Sequence, residues 1–151
     1  MKALVPLLLV VGVLPLTARV GEPLAELERR YGACFCEGPD QINQAFAVYG
    51  FDQEGTTALR RRGFAVQAVL DSSGRCQELD YIKAGSARLA VDEVRGILIS
   101  NAQGKAWETK VLASGDVRFV RSDGLVALEA EPGRFEVMSA QRAQERGIAV
   151  E

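Results

Sequence analysis

The fold of this protein is predicted most clearly by residues 59–83, which read LRRRGFAVQAVLDSSGRCQELDYIK. From Phe64 to Leu70, apolar side chains recur at every second position, which is typical of a strand with one buried face. The next four residues, Asp71-Ser72-Ser73-Gly74, are turn formers. A second strand pattern follows from Cys76 to Ile82. We therefore predict an antiparallel β-hairpin in this part of the chain.

Two short helices are predicted, one before this hairpin and one after it. The first begins at Pro23, which suits the first position of a helix, and it ends before Gly32. The second runs over residues 89–101 and has acidic side chains in its first turn, which favour the helix dipole. Each helix carries an apolar face at helical spacing. These faces consist of Leu24, Leu27 and Tyr31 in the first helix, and of Val94, Ile97 and Leu98 in the second, with Val91 as a further candidate.

The last third of the chain contains further strand patterns. Residues 107–112, 116–120 and 125–130 are predicted strands, because apolar positions alternate there and serine and glycine supply the turns between them. A last strand is predicted at residues 135–138. The polar residues 141–151 are expected to form a frayed tail.

The segment between the first helix and the hairpin is less regular. Residues 37–40, Glu-Gly-Pro-Asp, predict a turn. Residues 42–49 contain a mixed apolar run that fits either a strand or a helical turn.

The resulting fold class is α+β, with two short helices packed on one antiparallel sheet. The chain has 151 residues, and residues 19–140 suit one compact domain. The order helix, hairpin, helix, meander also suggests a tandem helix-hairpin repeat with units at 21–83 and 89–138. Residue identity between these halves is slight, so the alternative is that the elements arose without internal duplication.

Residues 1–18 are predicted to be a signal peptide. Lys2 supplies a positive charge, an apolar run follows from Ala3 to Leu16, and Ala18 is a small residue at a cleavage position. The run is shorter than the ~20 residues of a membrane-spanning helix, and it contains two prolines. We therefore expect an exported protein, periplasmic or extracellular, with no stable membrane span after cleavage. A retained anchor is the alternative.

Three cysteines, Cys34, Cys36 and Cys76, are disulfide candidates, because an exported chain meets an oxidising environment. Cys34 and Cys36 are too close to pair without strain. We therefore expect one of them, with Cys36 preferred, to bond Cys76. A redox pair would have two residues between its cysteines, and no histidine is present to complete a thiolate metal site, so both of these roles are less consistent with the spacing.

The composition excludes several kinds of chemistry. The chain has no histidine, so it contains neither a Ser-His or Cys-His nucleophile pair nor a histidine-bound metal. It also lacks a Gly-x-Ser-x-Gly motif, a phosphate-binding glycine loop and a dinucleotide fingerprint. The net charge of −2 provides no field for nucleic acid. We therefore predict no catalytic residue, no cofactor and no metal, and a protein that is not an enzyme.

Several charged and aromatic side chains remain to be interpreted. Glu78 and Asp80 share one face of the predicted hairpin, while Asp92 and Glu93 share the first turn of the second helix. Two carboxylates are one arrangement for acid–base catalysis. We interpret both pairs as solvated outer faces instead, and Arg60–Arg62 as a solvated basic cluster, for which an anion- or phosphate-binding patch is the alternative. Aromatic side chains recur in the strands, where they predict core packing or, alternatively, an exposed docking patch: Tyr49, Phe64, Tyr81, Trp107, Phe119 and Phe135.

Parts of the sequence resemble known exported proteins. Residues 21–27 (GEPLAEL), Tyr31-Gly32 and the hairpin from Gly63 to Cys76 resemble a group of small exported bacterial proteins without known activity. The second half fits the same pattern at Leu89, Glu93-Val94, Ile97-Leu98, Asn101, Gly104 and Trp107.

A more distant resemblance concerns the short helix that ends in glycine and precedes strands. This arrangement is similar to the small outer-membrane lipoproteins that assist barrel assembly, and to β-lactamase-inhibitor-like modules. The present sequence lacks the lipid-accepting cysteine of those lipoproteins. The resemblance implies a protein-binding role rather than a reaction.

The sequence therefore predicts a non-catalytic exported module that binds another protein of the envelope or the extracellular space. One alternative is a carrier that holds a lipid or metabolite in an apolar cleft. The other is an enzyme that uses the thiol of Cys34 or Cys36. No nucleic-acid partner is expected, and the oligomeric state is left open.

Overall fold

The computed structural model describes residues 19–31, 36–39, 45–49 and 64–149. The predicted signal peptide, the basic cluster Arg60–Arg62 and Cys34 lie outside these residues. Within them, eight strands form one antiparallel sheet, and three α-helices pack against it. The α+β class predicted from the sequence is therefore confirmed.

In the described residues the elements follow one another as a helix and four strands, then a short 3-10 helix at Ala84–Ser86, a second α-helix and four strands, and then a third α-helix. Their bounds are α1 Leu24–Tyr31, β1 Cys36–Pro39, β2 Ala45–Tyr49, β3 Phe64–Leu70, β4 Cys76–Lys83, α2 Val91–Ser100, β5 Trp107–Val111, β6 Val117–Arg121, β7 Val126–Glu131, β8 Arg134–Met138 and α3 Ala140–Glu145. In the sheet the strands lie in the order β1-β2-β3-β4-β8-β7-β6-β5, so β4 and β8 are the central pair. None of the helices in the described residues is long and apolar enough to cross a membrane.

The hairpin of β3 and β4 forms where it is predicted. Val66 pairs with Tyr81 in the middle of the hairpin. The turn is held by the carboxylate of Asp71, which accepts the backbone N–H groups of Ser73 and Arg75 at 2.8 and 3.0 Å. Satisfying these amides locally fixes the turn, and the alternation of side chains fixes which face of the hairpin is buried.

Helices α1 and α2 pack on the same face of the sheet, which we call the helical face. Leu27 of α1 and Ile97 of α2 are fully buried against it. Each such side chain contributes roughly 1.5–3 kcal/mol when removed from water. The apolar faces predicted for both helices are therefore what holds them to the sheet.

Side chains from the sheet fix the end of α2. The Trp107 indole N–H donates to the Leu98 carbonyl at 2.8 Å, and the Asn101 side-chain amide donates to the Tyr81 hydroxyl at 3.0 Å. The buried Arg121 guanidinium donates to the Asn101 carbonyl. Carbonyls at a helix end have no partner within the helix, so these bonds determine where α2 stops.

Helix α3 packs on the opposite face of the sheet, which we call the far face. The predicted frayed tail is therefore wrong for residues 141–145, and the described residues contain three α-helices where two were predicted. The Ser139 hydroxyl accepts the Arg142 N–H at 3.1 Å and caps the helix. A second apolar cluster lies beneath it, consisting of Val126, Leu128, Met138 and Ala143.

The irregular segment also differs from its prediction. Residues 37–40 are predicted to form a turn, but Glu37–Pro39 lie in β1. Among the described strands β1 is the outermost on its side of the sheet, and an edge strand accepts a proline because one of its sides has no partner strand. For residues 42–49, the structure decides between the two interpretations in favour of a strand over Ala45–Tyr49.

Candidate functional site

Two features of the described residues are candidates for a functional site, and the first is a cluster of charges on the far face. Six side chains form it: Glu78, Asp80, Arg134, Glu136, Arg142 and Arg146. The central strands bring the acids together, because Asp80 pairs with Glu136 across β4 and β8. Each of the three acids is at most 2% exposed. The predicted solvated face at Glu78 and Asp80 is therefore wrong, since α3 and the arginines cover it.

The arginines of the α3 segment neutralise two of these acids. The Arg142 Nε donates to Glu78 at 2.6 Å. Arg146 donates to Glu78 and, at 2.7 Å, to Glu136. Hydrogen bonds between two ionised groups are about twice as strong as neutral ones, so this network ties α3 to the central strands.

Asp80 is less completely satisfied than its neighbours. Its Oδ2 accepts from Arg134 at 2.5 Å, while its Oδ1 has no hydrogen-bond partner among the described residues. Burial raises the pKa of Asp80 to about 7, the charge of Glu78 adds to this rise, and Arg134 opposes it. Asp80 therefore gains and loses a proton near neutral pH, unlike an ordinary aspartate.

The three acids also come close enough together to raise the question of a metal. Carboxylate oxygens of Glu78, Asp80 and Glu136 lie within 4.8 Å of one another, and such oxygens suit hard cations. However, both oxygens of Glu78 already accept hydrogen bonds from arginine. A cation would have to displace these donors and remain buried beside guanidinium groups. The cluster does not fit a metal, and its arrangement is that of a structural ion network.

The second candidate is a groove of about 700 Å³ on the helical face. Helix α2 forms one wall, and the outer strands β5, β6 and β7 form the floor. Val91 at the rim is 78% exposed, and Val117 on the floor is 42% exposed. Neither helix on this face covers the floor completely. The apolar lining consists of Leu89, Val91, Val94, Leu98, Val117, Phe119 and Phe135.

Charged residues of both signs line the groove. Arg88 precedes α2 and Arg95 belongs to it, while Asp116 and Glu129 come from the sheet side. Neither arginine side chain has an ion-pair or hydrogen-bond partner among the described residues. An apolar floor with a charged rim is the usual arrangement of a protein–protein contact.

The aromatic side chains divide between core and groove. The predicted core role is confirmed for Phe64, Tyr81 and Phe135, which are at most 3% exposed. Phe119 packs against Phe135 with ring centroids 6.0 Å apart, and residues of this pair also line the groove. The second half of the chain is predicted to have one helix and four strands. One helix is too narrow to cover four strands, and this is the sequence signal that could have predicted the groove.

The acidic pair in α2 also differs from its prediction, because Glu93 is buried rather than solvated. Its carboxylate accepts the Lys83 ammonium at 2.8 Å and the Ala90 N–H at 2.7 Å. Burial by itself would raise the pKa of Glu93, but the hydrogen bonds from Lys83 and Ala90 outweigh it and hold the pKa below its usual value. Glu93 is thus part of the start of α2.

Cys76 carries a free, fully buried thiol whose sulfur lies 3.3 Å from the Glu78 carbonyl oxygen. Burial raises the pKa of this thiol, which makes it a poor nucleophile. Cys36 lies in β1, and two strands separate β1 from β4. The predicted bond between Cys36 and Cys76 is not tested by this arrangement of strands and stays a prediction. The other candidate partner, Cys34, lies outside the described residues, and its pairing stays a prediction.

Comparison of the chain with models of known protein families, with curated protein sequences and with solved structures finds no match. The described residues define an α+β protein with an ion network on one face and an open groove on the other.

Proposed function

We propose that this protein is a non-catalytic module that binds a segment of another protein in the groove beside α2. The observation that carries the proposal is the uncovered apolar floor, on which Val117 remains 42% exposed next to Phe119. Exposed apolar surface that forms one patch and has a polar rim is typical of a contact site. A partner that covers the floor removes this surface from water.

The shape of the groove favours a protein segment over a small ligand. Small-ligand sites bury roughly 70–90% of their ligand, which requires walls on most sides. This groove has α2 along one side and is open enough to leave Val91 78% exposed. An elongated side-chain row, such as a peptide segment presents, fits a trough of this kind better than a compact metabolite does.

The charges of the groove indicate the chemistry of the partner. Arg88 and Arg95 lie along the α2 side without ion-pair partners among the described residues. An acidic side chain of the partner would pair with them and would gain from desolvation by the surrounding apolar groups. The proposed occupant is therefore an apolar segment flanked by at least one acidic residue.

Two observations support a non-catalytic role. The thiol of Cys76 is buried and its pKa is raised, so it does not supply a thiolate. The buried acids of the far face are engaged with arginines under α3. Neither the Cys76 thiol nor the acids of the far face line the groove. The role that we propose for the groove is therefore binding.

The proposed setting is the periplasm or the extracellular space. This part of the proposal rests on the signal-peptide pattern of residues 1–18. N-terminal sequencing of the protein recovered from its native compartment tests it. A mature N-terminus at or near Arg19 is expected, and a retained Met1 on cytoplasmic protein would contradict it.

We also infer that the two halves of the fold are copies of one unit. Each half runs through one helix and four strands in the described residues, and the last strand of each half belongs to the central pair. The final hairpin of each half also has a β-bulge next to its turn, at Val69/Leu70 and at Glu129/Glu131. A tandem repeat would account for both similarities.

Site-specific photo-crosslinking tests the binding site. A photoreactive amino acid replaces Val117 on the groove floor in cells that make the whole chain. The matched control carries it at Ile99, which is 67% exposed on the same helix as the groove wall but is not among the lining residues. We expect a covalent adduct with one protein from position 117 and none from position 99.

Other outcomes separate the alternatives. A lipid or metabolite adduct at position 117, identified by mass spectrometry, would replace the proposal with the small-ligand carrier. Equal amounts of adduct at both positions would show that the partner does not bind the groove in preference to the rest of the surface. The absence of any adduct at position 117 would also contradict the proposal.

A further inference from the structure

The strand β5 presents an open edge. It is the last strand in the sheet order, and no described strand pairs with its outer side. On its inner side, the Leu112 N–H donates to the Asp116 carbonyl at 2.9 Å, and the Ala106 carbonyl accepts the N–H of Ser122, the residue after β6, at 3.3 Å. Backbone groups alternate in direction along a strand, so even-numbered residues face β6. The residues that direct N–H and C=O to the open edge are Trp107, Thr109 and Val111.

The sequence of this edge is complementary to itself. If a second β5 runs antiparallel with Thr109 opposite Thr109, then Trp107 lies opposite Val111, and Glu108 lies opposite Lys110. Opposite charges directly across two strands stabilise the pair, whereas like charges destabilise it. No other antiparallel register of this five-residue strand with itself places Glu108 opposite Lys110.

The two charges are available for such a pair. Glu108 is exposed and Lys110 is half-buried, and neither has an ion-pair partner among the described residues. Within the chain, Lys110 instead pairs across the ladder with another cation, Arg118. A second copy would supply the missing acid to each Lys110.

The apolar residues of the edge are exposed in the single chain. Val111 is 70% exposed and Val117, its cross-strand neighbour on β6, is 42% exposed. Trp107 is half-buried on the same face of β5. In the antiparallel arrangement, each Val111 would contact the Trp107 of the other copy and lose part of this exposure.

We propose that two copies of this chain pair through their β5 strands, antiparallel about a two-fold axis at Thr109. The pairing joins two eight-stranded sheets into one and leaves both grooves on the helical face. It does not depend on the proposed function, since the groove binds its partner with or without a dimer.

Sedimentation equilibrium of the purified protein tests the oligomeric state. We expect a reversible monomer–dimer equilibrium. The charge variants Glu108→Lys and Lys110→Glu should each raise the dimer dissociation constant roughly tenfold or more, because each places two like-charge pairs across the axis. A wild-type chain that is monomeric at all concentrations, or single variants that dimerise as well as the wild type, would overturn the proposal.

Mixing the two variants tests directly whether residues 108 and 110 lie opposite each other across the dimer. A Glu108→Lys chain offers two lysines to the two acids of a Lys110→Glu chain, so the mixture should form a heterodimer more tightly than either variant alone forms its homodimer. The double variant Glu108→Lys/Lys110→Glu should dimerise like the wild type. If mixing restores nothing, the strands do not pair in this register.

A backbone variant provides an independent test. Because the Thr109 N–H points to the open edge, Thr109→Pro removes no hydrogen bond of the sheet, and edge strands accept proline. We expect a folded monomer with a wild-type circular dichroism spectrum. A folded Thr109→Pro chain that still dimerises would show that β5 is not the interface.

Discussion

Among single residues, Asp80 links the buried ion network to pH. Burial first, and then the charge of Glu78, raise its pKa to about 7 from an ordinary 3.8. The folded protein therefore keeps a proton at pH values where the unfolded chain has released it. The stability contributed by Asp80 is complete below its ordinary pKa and is lost as the pH rises through about 7.

We predict that Asp80→Asn removes this dependence on pH. The free energy of unfolding of the wild type should fall by roughly 1–3 kcal/mol between about pH 5 and about pH 8. The variant has no titrating group at this position, so its stability should remain nearly level. Urea unfolding at several pH values measures both, and a variant that keeps the wild-type slope would show that another group is responsible.

Gly133 in the turn between β7 and β8 combines two constraints. Its φ is +85°, and a Cβ at this position would lie 2.9 Å from the Cα of Ser86. Its carbonyl also accepts the Lys83 N–H at 2.7 Å, which holds the turn against the end of β4. The turn therefore requires glycine both for its conformation and for the space that it leaves.

We predict that Gly133→Ala lowers the free energy of unfolding by roughly 3–4 kcal/mol, through strain in φ and overlap with Ser86. The matched control is Gly115→Ala, where φ is +88° but a Cβ would meet open space. That variant should lose only about 1–2 kcal/mol. Thermal unfolding compares the two, and equal losses would show that the contact with Ser86 has no effect.

Among the elements, α3 differs from the other helices in what attaches it. Helices α1 and α2 bury apolar faces, whereas α3 has the sequence AQRAQE and relies on Arg142 and Ala143 for contact with the sheet. Arg142 donates to Glu78 at 2.6 Å, and both side chains are almost completely buried. A buried charge that loses its partner is costly.

We predict that Arg142→Met and Glu78→Gln each cost about 1.5–3 kcal/mol of stability, because each removes the buried hydrogen bond between these two charged groups, while Arg146 stays next to position 78. The double variant should cost clearly less than the sum. The control Gln144→Met changes an exposed residue of the same helix and should stay within about 0.5 kcal/mol. Additive losses in chemical unfolding would contradict the proposed coupling.

The elements that could be predicted from the sequence are those in which apolar residues recur at a regular spacing. Alternation in residues 64–82 predicted β3 and β4, and the stripe of Val94, Ile97 and Leu98 predicted α2. Helix α3 has no such stripe, so its polar sequence predicts a frayed tail rather than a helix. The acids beneath it were misassigned for the same reason, since Glu78 looks solvated unless the covering helix is known.

At the scale of the whole molecule, the groove exists because one helix is narrower than the four strands on which it packs. Four strands at about 4.8 Å each span ~19 Å, whereas one helix is only about 10 Å across. Helix α2 therefore leaves part of its half of the sheet uncovered. Sequence predicted the helix and the strands, but the position of the groove depends on where side chains such as Trp107 and Arg121 fix the end of α2, which no local pattern indicates.

Binding of a protein segment in the groove beside α2 is tested most directly by calorimetry. A synthetic peptide carrying the segment cross-linked at position 117 is titrated into the purified protein. We expect Val117→Glu to raise the dissociation constant of the peptide roughly tenfold or more, and Ile99→Glu to leave it unchanged. Equal affinities of wild type and Val117→Glu, or equal losses in both variants, would contradict it.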